Sequence, residues 1–517
     1  MTIVLGSGNQ TYAPALHPDE DLYGDTDGTL SSGRAGSDRL TITTETPSFP
    51  SIYGDAFILE GTARGGNDRF WIDGYGDFFG DARIIQGHAR GGDDYIELSA
   101  NEDNGLDIWG DAFEMHGHAR GGDDTIIMRS EAEMWGDALV LDGHAVGGND
   151  RFIVTADDAL IFADGDLDGF ARGGRDKVVI LADEVSVEGD GTMTGDAIGG
   201  NDTMIVRGRD AFLIGDGGNL VDNARAGNDR LYGGKGDDGA RGDADAVGAI
   251  GTGVVCGNDL IVGGAGDDDL AGDTRYGWRG QAGNDRLFGD AGNDTIYGDA
   301  YYGGQAFSGE GMFFVSGADI IDGGNGNDTI YGDIWLTNRD FTHTAGNDLI
   351  RGNAGDDIIA GDTGEAMDDS GGDDRLFGGS GNDTIYGDVI QTEQTFFDNA
   401  DPQLGGPALA FVAGNDTIAG GAGNDTLYGD AGRVAEETAF TAGADRFVFA
   451  KGALGDDSIN DFQQGLDRID VRSLCITGLA GLDIDDGSGS SVITWANGDT
   501  LTVVDATGLT AVDFIFA

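Results

Sequence analysis

The chain has 517 residues, 96 of them glycine and only 6 proline, and its 94 Asp plus Glu against 29 Lys plus Arg give a formal charge of −65. A surface this acidic excludes nucleic acid and anionic membranes as partners, because both are held through Lys/Arg patches, and no apolar run is long enough to span a bilayer. The 39% of hydrophobic residues recur periodically, unlike those of a disordered acidic polymer.

The acidity sets a condition on folding. Carboxylates stacked at the ~4.8 Å spacing of neighbouring strands repel by roughly 3 kcal/mol per pair at an effective dielectric near 20. Summed over many turns, this rivals the whole stability of a domain. A multivalent cation is therefore required, and flexible turns of hard oxygen ligands favour Ca²⁺ over Mg²⁺. Cys256 and Cys475 lie in different kinds of segment, and both are expected to be small buried residues rather than a disulfide. The opening MTIVLGSGNQ lacks the charged and long apolar regions of a Sec signal peptide.

Residues 1–50 read as an N-terminal cap or lead-in. They hold Pro14, Pro18, Pro47 and Pro50 around a first turn, Ala35-Gly36-Ser37-Asp38, followed by Leu40. Pro402 and Pro407 share one insertion, so the repeats are free of proline, as a continuous hydrogen-bonded ladder requires.

Residues 51–230 carry a 26-residue unit. Asp55, Asp68, Asp81 and Asp94 are spaced by 13, as are Asp111, Asp124, Asp137 and Asp150. A Gly-Asp turn alternates with a Gly-Gly-Asn/Asp-Asp turn, and two turns with two strands make one coil of a solenoid. Two residues beyond the second turn's aspartate come Phe70, Ile96, Ile126, Phe152, Val178, Met204 and Leu231, alternating with more polar positions as a strand with one buried face should. The same position continues downstream through Ile261, Leu270, Leu287, Ile296, Ile330 and Ile350.

Between 231 and 440 the period shortens to nine. Gly280–Tyr297 reads GQAGNDRLF-GDAGNDTIY, and fuller versions are GGAGDDDLA at Gly263–Ala271, GGNGNDTIY at Gly323–Tyr331, GGSGNDTIY at Gly378–Tyr386 and GGAGNDTLY at Gly420–Tyr428. Six Gly-rich positions suit a tight turn carrying a carboxylate, because glycine accepts positive φ without cost, and the last three suit a short strand. Longer arms, Tyr301–Ser316, Ile334–Thr344 and Val389–Val412, leave from a Gly-Asp and return at a Gly-x-Asp. Their aromatics, Phe307, Phe313, Phe314, Trp335, Phe341, Phe396 and Phe397, are expected to fold onto the flank of the coils, with a binding surface as the alternative.

The pattern G-G-x-G-x-D-x-U-x, with U aliphatic, resembles the RTX, or haemolysin-type, calcium-binding repeat. The resemblance implies an all-β fold: a parallel β-roll or β-solenoid with calcium-binding turns. It further implies that the sixth residue of each turn supplies a side-chain oxygen, that Gly-rich positions supply backbone carbonyls, and that each Ca²⁺ lies between turns of successive coils. Carried onto this sequence, the side-chain ligands are Asp238, Asp268, Asp285, Asp294, Asp328, Asp357, Asp383 and Asp425. The first-position glycines are Gly280, Gly289, Gly323, Gly378 and Gly420. Asp259, Asp348, Asp374 and Asp416 match in turns that depart from the full motif. In the long coils, Asp68, Asp94, Asp124, Asp150, Asp176, Asp202 and Asp229 share the Gly-x-Asp end. One side of those coils is then expected to bind Ca²⁺ while the Gly-Asp side merely turns, with ligation at both sides as the alternative.

Residues 441–517 change texture. The turn Asp457-Ser458-Ile459-Asn460-Asp461-Phe462 resembles the segment that closes RTX rolls, so a short C-terminal β cap is implied. The final VDFIFA looks like the uncleaved signal of type I secretion substrates, which implies the type I machinery as a partner and an extracellular or cell-surface location in bacteria.

Two smaller ladders stand outside the motif. His88, His118 and His144 occupy equivalent positions and should stack, but Thr62 and Phe170 in the same register fit structural tolerance better than a Zn²⁺ or Cu²⁺ site. Arg64, Arg90, Arg120, Arg172 and Arg225, two residues later, are expected to pair with turn carboxylates. No H-E-x-x-H, G-x-S-x-G or Ser/His/Asp set is present, so no enzyme is expected. The function expected is a secreted calcium-binding structural or surface-associated rod (S-layer, matrix or adhesin-like) that folds on Ca²⁺ outside the cell, through self-association or contact with cell-surface polysaccharide. The alternatives are a polysaccharide-modifying enzyme on a β-helix and a calcium-buffering or signalling export product.

Overall fold

A computed structural model of the chain describes residues 2–517 except 7, 13–20, 44–49, 75, 100–105, 252, 304–311, 338–340, 367–368, 393–409, 436–437, 453 and 488. Pro14, Pro18, Pro47, Pro402, Pro407, Phe307, Phe396 and Phe397 lie outside the described residues. The described chain is strand and turn with three short 3₁₀ segments and no α-helix, a parallel β-solenoid. It divides into two compact units, Met1–Gly257 and Asn258–Ala517.

In the first unit each coil has three faces. The face that follows the Gly-x-Asp turn is built from strands such as Arg69–Asp73, Tyr95–Leu98 and Thr125–Met128. Its register pairs Phe70 with Ile96, Ile96 with Ile126, Ile126 with Phe152, Phe152 with Val178 and Val178 with Met204, and all these side chains are buried. A second face ends in the Gly-Asp turn. There Tyr23, Tyr53, Phe79, Trp109, Trp135 and Phe162 stack ring on ring, with centroids 4.7 to 5.5 Å apart. Stacking at the strand spacing holds successive coils in register, since a one-residue slip would carry the rings to the opposite side of the strand and break their contacts. The third face runs through Ala56–Leu59, Ala82–Gly87, Ala112–Gly117 and Ala138–Gly143, packing Leu59, Ile85, Met115 and Leu141 inward.

Residues 2–43, expected as a lead-in, already contribute strands to this stack. Leu22 and Tyr23 pair with Ile52 and Tyr53, and Leu40 with Phe70. Asp25 donates its backbone N–H to the Asp55 carbonyl as later Gly-Asp turns do to theirs.

In the second unit, consecutive nonapeptides occupy opposite faces of one coil instead of following one another along a single ladder. Ile261, Leu287, Ile321, Ile350, Leu376, Ile418 and Phe447 align on one face. Leu270, Ile296, Ile330, Ile359, Ile385, Leu427 and Ile459 align on the other. The arms add two further parallel sheets. One stacks Thr274–Gly277, Ala300–Gly303 and Ile334–Leu336; the other stacks Arg279–Gln281, Met312–Val315 and Phe341–Thr344. Phe314 and Phe341 are buried and Trp335 half-buried, whereas Phe313 is 46% exposed.

The C-terminal segment closes the second unit. Asp457–Ile459 pairs in parallel with Thr500–Val503, which continues into an antiparallel meander with Ser490–Thr494 and Asp483–Gly487. These are the only antiparallel pairings among the described residues, and they cover a sheet end that would otherwise present unpaired backbone groups. Cys256 is buried as expected, but Cys475 is exposed, at φ 60 behind a 3₁₀ turn.

Candidate metal columns

Every aspartate that the resemblance assigns as a ligand is buried, at 0 to 3% exposure. The cause is local. The Gly-x-Asp turn bends the chain so that its last side chain points into the coil, and the next coil repeats the bend. The backbone N–H of Asp68 donates to Oδ1 of Asp94 at 2.6 Å, that of Asp94 to Asp124 at 2.7 Å, and that of Asp124 to Asp150 at 2.7 Å. The same step links Asp150 to Asp176 and Asp176 to Asp202. In the second unit it links Asp285, Asp319, Asp348, Asp374, Asp416 and Asp445. The result is a column of carboxylates, one per coil.

The Gly-Asp aspartates do more than turn the chain. Asp55, Asp81, Asp111 and Asp137 are fully buried, and their carboxylates accept the N–H groups of Gly66, Gly92, Gly122 and Gly148 at 2.8 Å. Each such bond closes the neck of the segment that leaves at Gly-Asp and returns at Gly-x-Asp, and so brings the two turns together. Three-carboxylate clusters follow, with one oxygen from each residue within 4.8 Å of the others: Asp216, Asp229 and Asp243; Asp259, Asp273 and Asp285; Asp285, Asp299 and Asp319; Asp319, Asp333 and Asp348. The Gly-Asp side of the long coils thus bonds to the other turn as well as bending the chain, and its Asp216 joins one of these clusters.

A second column belongs to the nonapeptide turns. Asp268, Asp294, Asp328, Asp357, Asp383 and Asp425 each donate N–H to the next coil's carboxylate, at 2.9 to 3.0 Å, ending on Asp457. Asp238 lies at the corresponding turn of the first unit and accepts the Ala211 N–H at 2.7 Å. In the coils before it the matching positions are Ala132, Ala159, Val185 and Ala211, so the long coils of the first unit carry the first column without the second.

Do these residues fit a divalent cation? Burial leaves Oδ2 of Asp68, Asp94, Asp124, Asp150, Asp176 and Asp202 with no hydrogen-bond partner, and the same holds for Asp319, Asp348, Asp374, Asp416 and Asp445 in the second unit and for Asp294, Asp328, Asp357, Asp383 and Asp425 in the second column. Orphaned buried oxygens on this scale are not tolerated without a counter-charge. The glycines show where it would sit. A Cβ on Gly80 would meet Oδ2 of Asp94 at 2.3 Å and the Gly110 carbonyl at 1.6 Å. A Cβ on Gly289 would meet Oδ2 of Asp294 at 2.2 Å and the Gly323 carbonyl at 2.5 Å, and Gly378 stands likewise to Asp383 and the Gly420 carbonyl. Each cradle thus offers a carboxylate oxygen and a carbonyl from the next coil, an all-oxygen set suited to Ca²⁺. Gly324 and Gly326, at φ 110 and 136, give the turn its left-handed backbone. Gly280 stands apart from this arrangement: it lies in the arm strand Arg279–Gln281, paired with Phe314, while the turn of Asp285 is closed by Gly283 donating to Asp273.

Electrostatics says the same. Burial first, and neighbouring carboxylates second, push Asp55, Asp94, Asp111, Asp150, Asp319, Asp333 and Asp348 well above the ordinary carboxylate range. Burial raises Asp374 to about 8 and Asp383 to about 7. Without a cation these groups favour the protonated form more than an exposed carboxylate does, and a bound cation would take the protons' place.

Sequence reasoning read Asp38 and Asp457 as turn residues only and overlooked Asp319, Asp445 and Asp467, all buried members of the columns. Ser37, Ala318 and Ala444 break the expected Asn/Asp-Asp pair in three of these turns, yet the preceding glycine and the aliphatic or aromatic residue two positions later were present as a signal. Because the carboxylates face inward, Arg64, Arg90, Arg120, Arg172 and Arg225 cannot reach them, and these arginines, all exposed, form no ion pair among the described residues.

A parallel β-solenoid whose coils are joined by columns of buried carboxylates and carbonyls is an acidic repeat protein whose turns are built to hold metal ions. The family model for the RTX calcium-binding nonapeptide repeat matches residues 223–246, 257–274, 279–300, 315–334, 344–365, 367–389 and 412–433. Between residues 223 and 433 the chain is built of RTX repeats. No curated protein matches the chain.

Crowding at the column glycines makes a sharp prediction. Gly80→Ala in the calcium-loaded protein should cost about 3 kcal/mol or more through steric strain, whereas Gly28→Ala, where a Cβ meets nothing closer than Thr26 Oγ1 at 3.8 Å, should be nearly silent. Thermal unfolding in calcium distinguishes the two.

Proposed function

We propose that the chain leaves a bacterial cell unfolded through a type I export machinery, folds on Ca²⁺ outside, and then serves as a structural or surface-associated protein rather than as an enzyme. The observation that carries this reading is the run of orphaned carboxylate oxygens along both columns. A chain that must neutralise them stays open where free Ca²⁺ is scarce and closes at the ~0.1–1 mM levels at which extracellular modules bind it. The C-terminal tail supports the same order of events. Phe514 and Ile515 pair with Ile469 and Asp470, and Asp513 closes a capping box with Thr510, so these residues are available to a receptor only before folding.

The test is expression with a type I exporter, followed by fractionation of cells in calcium-containing medium. Export with retention on the cell envelope, or ordered lattices by electron microscopy of the calcium-loaded protein, is the expected result. Free monomers in the medium with no retention would overturn the surface role.

A further inference from the structure

The first unit carries a surface that the calcium columns do not explain. The segment His88-Ala89-Arg90 and its equivalents form a single-residue parallel bridge on every coil, linking Arg34, Arg64, Arg90, Arg120, Val146 and Arg172 in order. From the Arg64 segment to the Arg172 segment the alanine is fully buried and the residues beside it face outward. This places an exposed arginine on most coils at the ~4.8 Å strand spacing, with Val146 and, beyond Arg172, Ile198 as interruptions. Beside it runs a second ladder: His88, His118 and His144 stack with ring centroids 4.9 Å apart and planes within 6°, and Phe170 continues the stack.

Two adjoining grooves follow these ladders. One, of about 630 Å³, runs between the arginines and the Gly-Gly backbone of the turns; the other, of about 230 Å³, is lined by His88, Arg90, His118, Arg120, His144 and Val146. Arg90 and Arg120 border both. The carboxylates nearest the first groove are already engaged: Asp93 accepts from the Asn67 amide at 3.0 Å and Asp123 from the Asn149 amide at 2.8 Å. Among these arginines, Arg34 donates to the Asn67 carbonyl oxygen, while Arg64, Arg90, Arg120 and Arg172 have no anionic partner among the described residues.

In a chain of charge −65, a row of guanidinium groups without anionic partners is an anomaly that a periodic anion would resolve. The geometry points to a linear carboxylated polysaccharide lying along this ladder, with one uronate carboxylate on each arginine and ring hydroxyls on the imidazole edges. Three features select that chemistry. A guanidinium fork receives a planar carboxylate through two hydrogen bonds. The arginine repeat is close to the length of one pyranose ring. The acidic remainder of the protein repels a polymer as densely charged as a nucleic acid. This inference rests on the surface-associated reading and specifies its partner.

The experiment is isothermal titration of the calcium-loaded full chain with a short oligogalacturonate, too short to gel, with dextran and inorganic polyphosphate as comparison ligands. Oligogalacturonate should bind, and the other two should not bind comparably. The triple variant Arg64→Gln, Arg90→Gln, Arg120→Gln should bind about 30-fold more weakly, a few-fold for each exposed ion pair. Filling the gap with Val146→Arg should tighten binding about 3-fold. Val146 and Ile198 already occupy ladder positions, so these changes are compatible with the fold, and circular dichroism of each variant in calcium checks it. Arg129→Gln, at an arginine paired with Glu97 at 2.9 Å, should leave binding unchanged.

No binding by the parent chain, an unaffected triple variant, equal loss in Arg129→Gln, or equal affinity for polyphosphate or dextran would each overturn the assignment. An unaffected triple variant in particular would mean that calcium alone bridges sugar and protein. A folded, envelope-retained protein that ignores oligogalacturonate overturns this inference and leaves the broader function standing. Release of the protein into the medium overturns the surface role, whatever the binding constant.

Discussion

Chelation of calcium at about pH 7.5 is expected to abolish most of the β-sheet circular dichroism of the chain, and acidification of the same chelated sample to about pH 4–5 to restore part of it. The sign follows from the direction of the shifts. Burial and like-charge neighbours raise the folded-state pKa of the column aspartates, to about 6 for Asp294 and Asp328, about 7 for Asp383, about 8 for Asp374 and about 9 for Asp445. In the unfolded chain the value is ~3.9. A group whose folded pKa is raised stabilises the fold fully below its unfolded value, and that stabilisation is lost as pH rises through the folded value. The cation-free chain should therefore lose structure between about pH 4 and pH 9, while the calcium-loaded chain behaves in the opposite sense, because protons compete with Ca²⁺ for the same oxygens. A full β signal in chelator at neutral pH would overturn the folding switch.

The second expected result is a change of sign at a single residue. Asp374→Asn should destabilise the calcium-loaded protein by ~2–4 kcal/mol, the range for breaking a buried charge cluster. In chelator at about pH 5, where part of the fold returns, the same substitution should raise the unfolding midpoint, since it removes the cost of protonating a buried carboxylate whose folded-state pKa is raised to about 8. The amide oxygen of Asn can still accept the Asp348 N–H, which now meets Oδ1 at 2.7 Å, so the backbone ladder survives the change. Denaturant unfolding in calcium and in chelator, with exposed Asp27→Asn as the control, measures both signs. Destabilisation in both conditions would mean that Asp374 is structural and binds no cation.

The His ladder stacks as its register requires, and its neighbour Phe170 continues the stack. The arginine ladder two residues on was misjudged, because a count of charges says nothing about which way a carboxylate points. Here the turn aspartates point inward, and the arginines are left to the solvent.

The sequence by itself determined the repeat, the all-β class, the aliphatic register of the long coils and the acidic turns that demand a cation. It could do so because each of these is a local property that recurs at a constant offset: glycine where φ must be positive, a carboxylate at the turn, an alternating strand after it. The tertiary structure alone decided which turns meet. The bond from Gly66 to Asp55 across 11 residues draws the Gly-Asp and Gly-x-Asp turns to one neck, and the matching bonds to Asp299 and Asp333 set these aspartates, which read as plain turns, into three-carboxylate clusters able to hold a metal ion. The placement of consecutive nonapeptides on opposite faces, one column each, likewise depends on coil closure, which arms of varying length conceal from any fixed period. The physical reason is common to both: periodicity reports which side of a strand a residue takes, while the distance between two turns is set by backbone hydrogen bonds that close the coil.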